Sequence, residues 1–191
     1  MNKFLNEKLM PIAAKIGSNK GMIAIRDGIT LAMPLIIIGS FFMILATGFA
    51  IPPFEAWLTD AGISAYLYKG SDSSFGLVGL IASFGIAYSM TKQYGVDGVP
   101  SGIVSLSTFM VVTPFVSGEA GSGMPTTYMA AQGLFVAIVL GLINGFVYQW
   151  FINHNIQIKM PESVPPAVSK SFSAILPGAV LITGWLVVYS V

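Results

Sequence analysis

The sequence predicts an all-α integral membrane protein. It has five transmembrane helices, a cytoplasmic N-terminus and a short amphipathic interfacial helix before the first span. Three observations predict this. Hydrophobic residues make up 54% of the 191-residue chain and charged residues only 9%, against about 25% in an average soluble domain. The nine basic and eight acidic residues leave five charge-free windows near the length of about 20 residues that a bilayer crossing needs. The basic residues between these windows fall almost entirely in alternate segments. A soluble globule would need a charged surface, a disordered chain would lack the apolar runs, and a nucleic-acid partner would call for a basic excess. A net charge of +1 gives none. With no cysteine and His154 as the one histidine, neither disulfides nor a zinc site is expected.

Residues 1–20 come first. Phe4, Leu5, Leu9, Ile12, Ala13 and Ile16 fall mostly on one helical face, with Lys3, Glu7, Lys15 and Asn19 elsewhere. This reads as a helix lying on the inner leaflet, an anchor for the first span rather than a partner-docking element. Pro11 kinks or starts it, and Gly17-Ser18-Asn19 ends it. Span one covers about 29–50 and closes at Pro52-Pro53. It is too long for the apolar region of a secretory signal, and four more spans follow. Phe54, Trp57, Leu58 and Tyr66 among acidic residues suggest one short outer helix at the interface over 54–68, where aromatic rings settle. Residues 70–74 read as a loop. Spans two (75–91) and three (99–115) form a hairpin about the turn Tyr94-Gly95-Val96-Asp97-Gly98. Gly118 to Gly123 is an outer loop, and spans four (129–152) and five (171–191) complete a single transmembrane domain over 1–191. Pro114 and Pro177 predict kinks inside spans. Gly141 with Gly145, Gly85 with Ser89, and Ala174 with Gly178 have the spacing that lets membrane helices approach closely.

The orientation follows from counting cations. Lys3, Lys8, Lys15, Lys20, Arg26, Lys92, Lys159 and Lys170 lie on one side and Lys69 alone on the other. The positive-inside rule places the eight in the cytoplasm.

Certain runs resemble a known family. Ile25-Arg26-Asp27-Gly28 leading into Met33-Pro34-Leu35-Ile36-Ile37-Ile38-Gly39-Ser40-Phe41-Phe42 resembles the start of the membrane permease, enzyme IIC, of the bacterial sugar phosphotransferase system. So do Phe84-Gly85-Ile86-Ala87-Tyr88 with Tyr94-Gly95-Val96-Asp97, and Lys159-Met160-Pro161-Glu162-Ser163-Val164-Pro165-Pro166 with Ser171-Phe172. The nearest branch is the lactose, cellobiose and diacetylchitobiose one. The resemblance implies a multi-pass protein of the bacterial cytoplasmic membrane that takes up a sugar while cytoplasmic enzyme IIB phosphorylates it. It also implies ten main helices in two halves, the first a scaffold with the homodimer interface, the second holding the histidine and glutamate that contact sugar. This chain resembles the first half, so a C-terminal half is expected to complete it. The alternatives are an assembly module without transport activity and an unrelated small transporter or channel subunit.

Few residues are candidates for chemistry. The five span cores contain no ionisable residue, whereas intramembrane charges usually mark a transport path. Gln132 and Asn144 are the most polar residues of span four. Either can bind a sugar hydroxyl or make a helix-to-helix hydrogen bond, and the second is expected. His154, between Asn153 and Asn155, reads as interfacial and lacks the family's active-site context, and Glu119 reads as solvated. The segment Lys159 to Val168 carries three prolines and predicts a stiff extended connector; the other reading is a loop facing the sugar path or a cytoplasmic partner. The Gly-x-x-Gly spacings lack the strand and the Gly-Lys-Ser/Thr of a phosphate loop. No catalytic, substrate-binding or metal residue is therefore assigned, no cofactor is expected, and the expected partners are membrane lipid, a second copy, enzyme IIB and, for the whole permease, sugar.

Overall fold

A computed structural model describes residues 10–118, 121–161 and 163–191. Phe4, Leu5, Leu9, Glu119 and Glu162 lie outside the described residues. Met10–Gly17 is helical (α1). Asn19 then caps the next helix, its side-chain oxygen accepting from the backbone N–H of Gly21 at 2.9 Å and of Met22 at 3.3 Å. Helix α2 therefore begins at Lys20 and runs to Thr30, and α3 follows over Met33–Ala46. The first apolar segment is thus Lys20–Ala46 rather than 29–50. The break between α2 and α3 has a local cause: the ring of Pro34 excludes the carbonyl of a helical residue four back, which is Thr30.

The end of this segment also differs from expectation. It closes at Gly48 (φ +56°), followed by Phe49 and Ala50, both also at positive φ. Pro52-Pro53 instead open α4, Pro52–Asp60, where a first-turn proline gives up no helical hydrogen bond. Gly62 (φ +70°) divides the expected single outer helix in two, and α5 runs Ile63–Asp72. A 3-10 turn over Phe75–Leu77 leads into α6, Val78–Lys92. Helix α7, Gly98–Val112, returns from the predicted tight turn, in which Gly95 has φ +75°.

Pro114 lies beyond α7 and does not kink it: the residue before a proline is pushed to extended backbone, and Thr113 has ψ 122°. The expected Gly118 to Gly123 loop is a small antiparallel hairpin, β1 Val116–Gly118 with β2 Gly121–Gly123. A short helix α8 (Thr126–Met129) and a 3-10 turn precede α9, Leu134–Asn153. The proline-rich connector is extended only in part, because Pro165 caps a helix, α10, over Pro166–Ser173. Helix α11 covers Ile175–Ser190. Pro177 sits in its first turn, and the ring's exclusion of the Ser173 carbonyl gives a break at Ala174 where a mid-span kink was expected.

Among the described residues four segments are long and apolar enough to cross a membrane: Lys20–Ala46, Ile63–Lys92, Ala131–Asn153 and Val168–Ser190. The third expected span, α7, has 15 residues and falls below that length.

Helix α6 is the hub, packing against α2, α7 and α9; α3 packs on α5, and α11 on α7. Two glycine contacts set these distances. Gly28 of α2 meets the backbone of α6 at Gly85 and Ile86, so that a Cβ on Gly28 would lie 2.5 Å from Ile86 Cα. Gly141 and Gly145 of α9 face Ile86, Ala87 and Met90 of α6; a Cβ on Gly141 would come within 2.7 Å of Ile86 Cβ. The expected GxxxG contact is thus present, and Gly85 meets α2 at Gly28, with Ser89 one turn on bordering the pocket that Asp27 and Leu31 line. Ala24, Ala82, Ile86, Met90, Phe109, Ala137 and Leu140 form the main core, and Val104, Tyr148 and Leu181 a second one. The first and last apolar segments bury only 17% of their most apolar window, against 61% for the segment containing α6. Their outer faces are left for lipid or further protein.

Candidate functional site

The polar residues inside the bundle converge from four helices. Asn144 of α9 is fully buried. Its amide donates to Thr108 Oγ1 of α7 at 2.6 Å and to Ser105 Oγ at 3.2 Å. Its carbonyl oxygen accepts from the indole N–H of Trp185, on α11, at 2.8 Å. Ser83 of α6 joins through Ser105, with the two hydroxyl oxygens 2.8 Å apart. One turn toward the 93–97 turn, Thr91 Oγ1 lies 2.8 Å from Ser101 Oγ and 3.2 Å from the carbonyl oxygen of Gly145. Among the described residues no buried side-chain polar atom lacks a partner. Unpaired groups in a low-dielectric interior are costly, so this closed network fixes how α6, α7, α9 and α11 sit together. Asn144 therefore makes the expected helix-to-helix bonds, and both amide hydrogens and its oxygen are engaged in them.

The other candidates lie apart from this network. Gln132 is exposed in the 3-10 turn before α9. His154 is exposed at the C-terminal cap of α9; its Nδ1 donates to the Trp150 carbonyl at 2.8 Å and its ring lies 4.6 Å from that of Trp150. Among the described residues no three His, Asp or Glu side chains gather as a metal site would require.

A second arrangement, not read from the sequence, stands at the α6–α7 turn. Asp97 caps α7 by accepting from the Val99 N–H at 3.1 Å, and its other carboxylate oxygen lies 2.7 Å from Lys170 Nζ on α10. The pair borders a cleft of about 410 Å³ whose walls include Pro100, Ile103, Val104 and Ala174. Lys170, and next the Val99 N–H, hold the Asp97 carboxyl below its usual range. A carboxyl with a depressed folded pKa stabilises the fold above its unfolded pKa of about 3.9, and that contribution is lost as pH falls through the folded value. Asp97→Ala should cost about 1 kcal/mol, mostly from the lost cap, since the partly exposed ion pair contributes under ~1 kcal/mol. Asp97→Asn keeps the cap and should cost less. Melting curves in detergent will check this: the gap between parent and Asp97→Asn should be present at pH 7 and close below about pH 4.

These helices have a counterpart among solved structures. The crystal structure of ChbC, the IIC component of an N,N'-diacetylchitobiose-specific phosphotransferase system, superposes with a TM-score of 0.86 at 37% identity, over 97% of this chain and 46% of that one. The family described as phosphotransferase system, EIIC, matches residues 26–191. The chain belongs to the phosphotransferase system EIIC family. Among EIIC proteins it is 41% identical to the lichenan permease IIC component of Bacillus subtilis (strain 168), over 97% of this chain and 44% of the relative. It is 38% identical to the cellobiose-specific EIIC component of Geobacillus stearothermophilus, over 96% and 44%. The chain thus spans less than half the length of the EIIC relatives it matches. As an EIIC-family chain with several apolar helices, it is a multi-pass protein of the bacterial cytoplasmic membrane.

Proposed function

We propose that this chain is the first, scaffold half of a sugar-specific EIIC permease. The whole permease takes up a cellobiose-, diacetylchitobiose- or lactose-type sugar, and cytoplasmic enzyme IIB phosphorylates it. The observation that carries the reading is the match to ChbC over nearly all of this chain and under half of that one. The closed polar network supports the scaffold role: Asn144 and its partners are spent on holding helices together, and the groups that contact sugar belong to a second half. The outward faces of the first and last apolar segments suit that second half and a second copy of the chain.

In this reading the chain crosses five times, with α7 as the short third crossing. The N-terminus is cytoplasmic, on the side of the eight clustered cations. Single cysteines at positions 20 and 159 should both escape a membrane-impermeant thiol reagent added outside, and one at 69 should react. Co-expression with the remainder of a cellobiose-type EIIC and its enzyme IIB should yield phosphorylated cellobiose inside a permease-null cell. Accumulation with this chain alone would overturn the scaffold role; no accumulation with both halves would favour an assembly module without transport.

A further inference from the structure

We infer that the groove between the start of α2 and the outer face of α9 is a binding site for one anionic phospholipid, with Lys20 meeting its phosphate. The groove has a volume of about 540 Å³. Met90, Leu142, Phe146 and Val147 form its apolar floor, and Lys20 and Tyr94 stand at one end. The mouth is a stacked assembly. The Lys20 ammonium lies 3.7 Å from the centroid of the Tyr94 ring. Tyr94 in turn meets Phe146 edge-on, with centroids 6.1 Å apart and planes at 75°. A cation over an aromatic face is held on one side only, and its remaining N–H groups stay available to an anion.

Charge distinguishes this groove from its neighbours. The cleft beside α10 holds Asp97 with Lys170, and the pocket between α2 and α6 holds Asp27 with Lys92. In each a carboxylate accompanies the cation. The Lys20 groove has a cation and no carboxylate among its lining residues. A further apolar helix laid here would leave that ammonium without a counter-charge. An acyl chain with a phosphate at its end supplies both what the floor and what the mouth require. Ile143 and Phe146 stay 42% and 47% exposed along the groove, on a helix long and apolar enough to cross a membrane.

The inference depends on the orientation proposed above only for the leaflet, the inner one, that supplies the lipid. Labelling at position 20 tests the orientation separately, whereas lipid retention is read in detergent. The full chain, purified in a mild detergent, is offered phosphatidylglycerol and phosphatidylcholine with identical acyl chains, and retained lipid is counted by native mass spectrometry. Phosphatidylglycerol should be retained in preference. Lys20→Gln should lower that preference about fivefold, the weight of one lysine near an anionic surface, while Lys20→Arg and Lys159→Gln should leave it in place. Equal retention of the two lipids overturns the inference, as does an unchanged preference in Lys20→Gln. Displacement by millimolar inorganic phosphate would assign the site to a free anion instead. Disulfide linkage of two Phe146→Cys chains in membranes would assign the groove to a second copy.

Discussion

Gly85→Leu is expected to prevent α2, α6 and α9 from assembling. A Cβ at Gly85 would overlap the carbonyl oxygen of Gly28 and lie 3.0 Å from its carbonyl carbon. Overpacking typically costs about 1–3 kcal/mol when neighbouring side chains can give way. Here the neighbour is backbone on both sides, since a Cβ on Gly28 would itself come within 2.6 Å of the Gly85 carbonyl carbon. No rotamer relieves that, so the whole helix must shift and carry the α6–α9 contact with it. The expected cost exceeds ~3 kcal/mol, a large part of the stability of an ordinary domain. Gly85→Ala should be milder but still destabilising. Gly184→Leu is the contrast, because a Cβ there meets nothing within 4 Å. Size-exclusion profiles and melting temperatures in detergent should show Gly184→Leu close to the parent and Gly85→Leu aggregated or expanded. A monodisperse Gly85→Leu with an unchanged melt would show that the Gly28–Gly85 approach does not hold the bundle together.

Asn144→Leu carries the second large effect. It removes two donated bonds and one accepted bond, at 2.6, 3.2 and 2.8 Å. Interhelical hydrogen bonds inside membranes average about 0.6 kcal/mol each, and an orphaned buried donor adds about 1–3 kcal/mol. Thr108 and Ser105 lose only accepted bonds and keep other partners to fall back on, Thr108 donating to the Ser105 carbonyl at 2.9 Å and Ser105 Oγ lying 2.8 Å from Ser83 Oγ. The Trp185 indole N–H has no such fallback. The total should be about 2 kcal/mol, most of it from Trp185. Trp185→Phe removes that donor, so the double variant should be less destabilised than the sum of the singles. Strict additivity in thermal melts would mean that Asn144 and Trp185 are not coupled.

The apolar helices were legible because span length and charge exclusion are local properties. Gly141 with Gly145 was legible for the same reason, as a spacing on one helix. The Gly28–Gly85 approach was not, because Gly28 stands in a charged stretch beside Arg26 and Asp27 and its partner depends on the angle at which two helices cross. Asn144 could be read as a helix-packing residue from its isolation in an apolar run, but not its four-helix network: Ser83, Ser105 and Trp185 are each unremarkable in their own windows. Asp97 and Lys170 lie far apart in the chain and meet only because α10 folds back onto the α6–α7 turn. The prolines were misplaced in a consistent way. Pro114 and Pro177, expected as kinks inside spans, stand just past a helix end and in a first turn, and Pro52, expected to close a span, opens a helix, all places where the missing N–H costs nothing. The end of the first apolar segment was hidden for a related reason: Phe49 and Ala50 at positive φ are not residues that announce such backbone.

The shortness of α7 has a consequence for the end of the bundle that carries the hairpin. Fifteen residues rise about 22 Å, roughly 8 Å less than the hydrocarbon thickness. The chain leaves α7 as extended backbone and then as a two-stranded hairpin with open edges. Fatty tails cannot satisfy such edges. If α7 crosses as proposed, the hairpin must be covered by neighbouring protein or bathed by water, because lipid reaching this end of the helix would leave the hairpin edges unpaired.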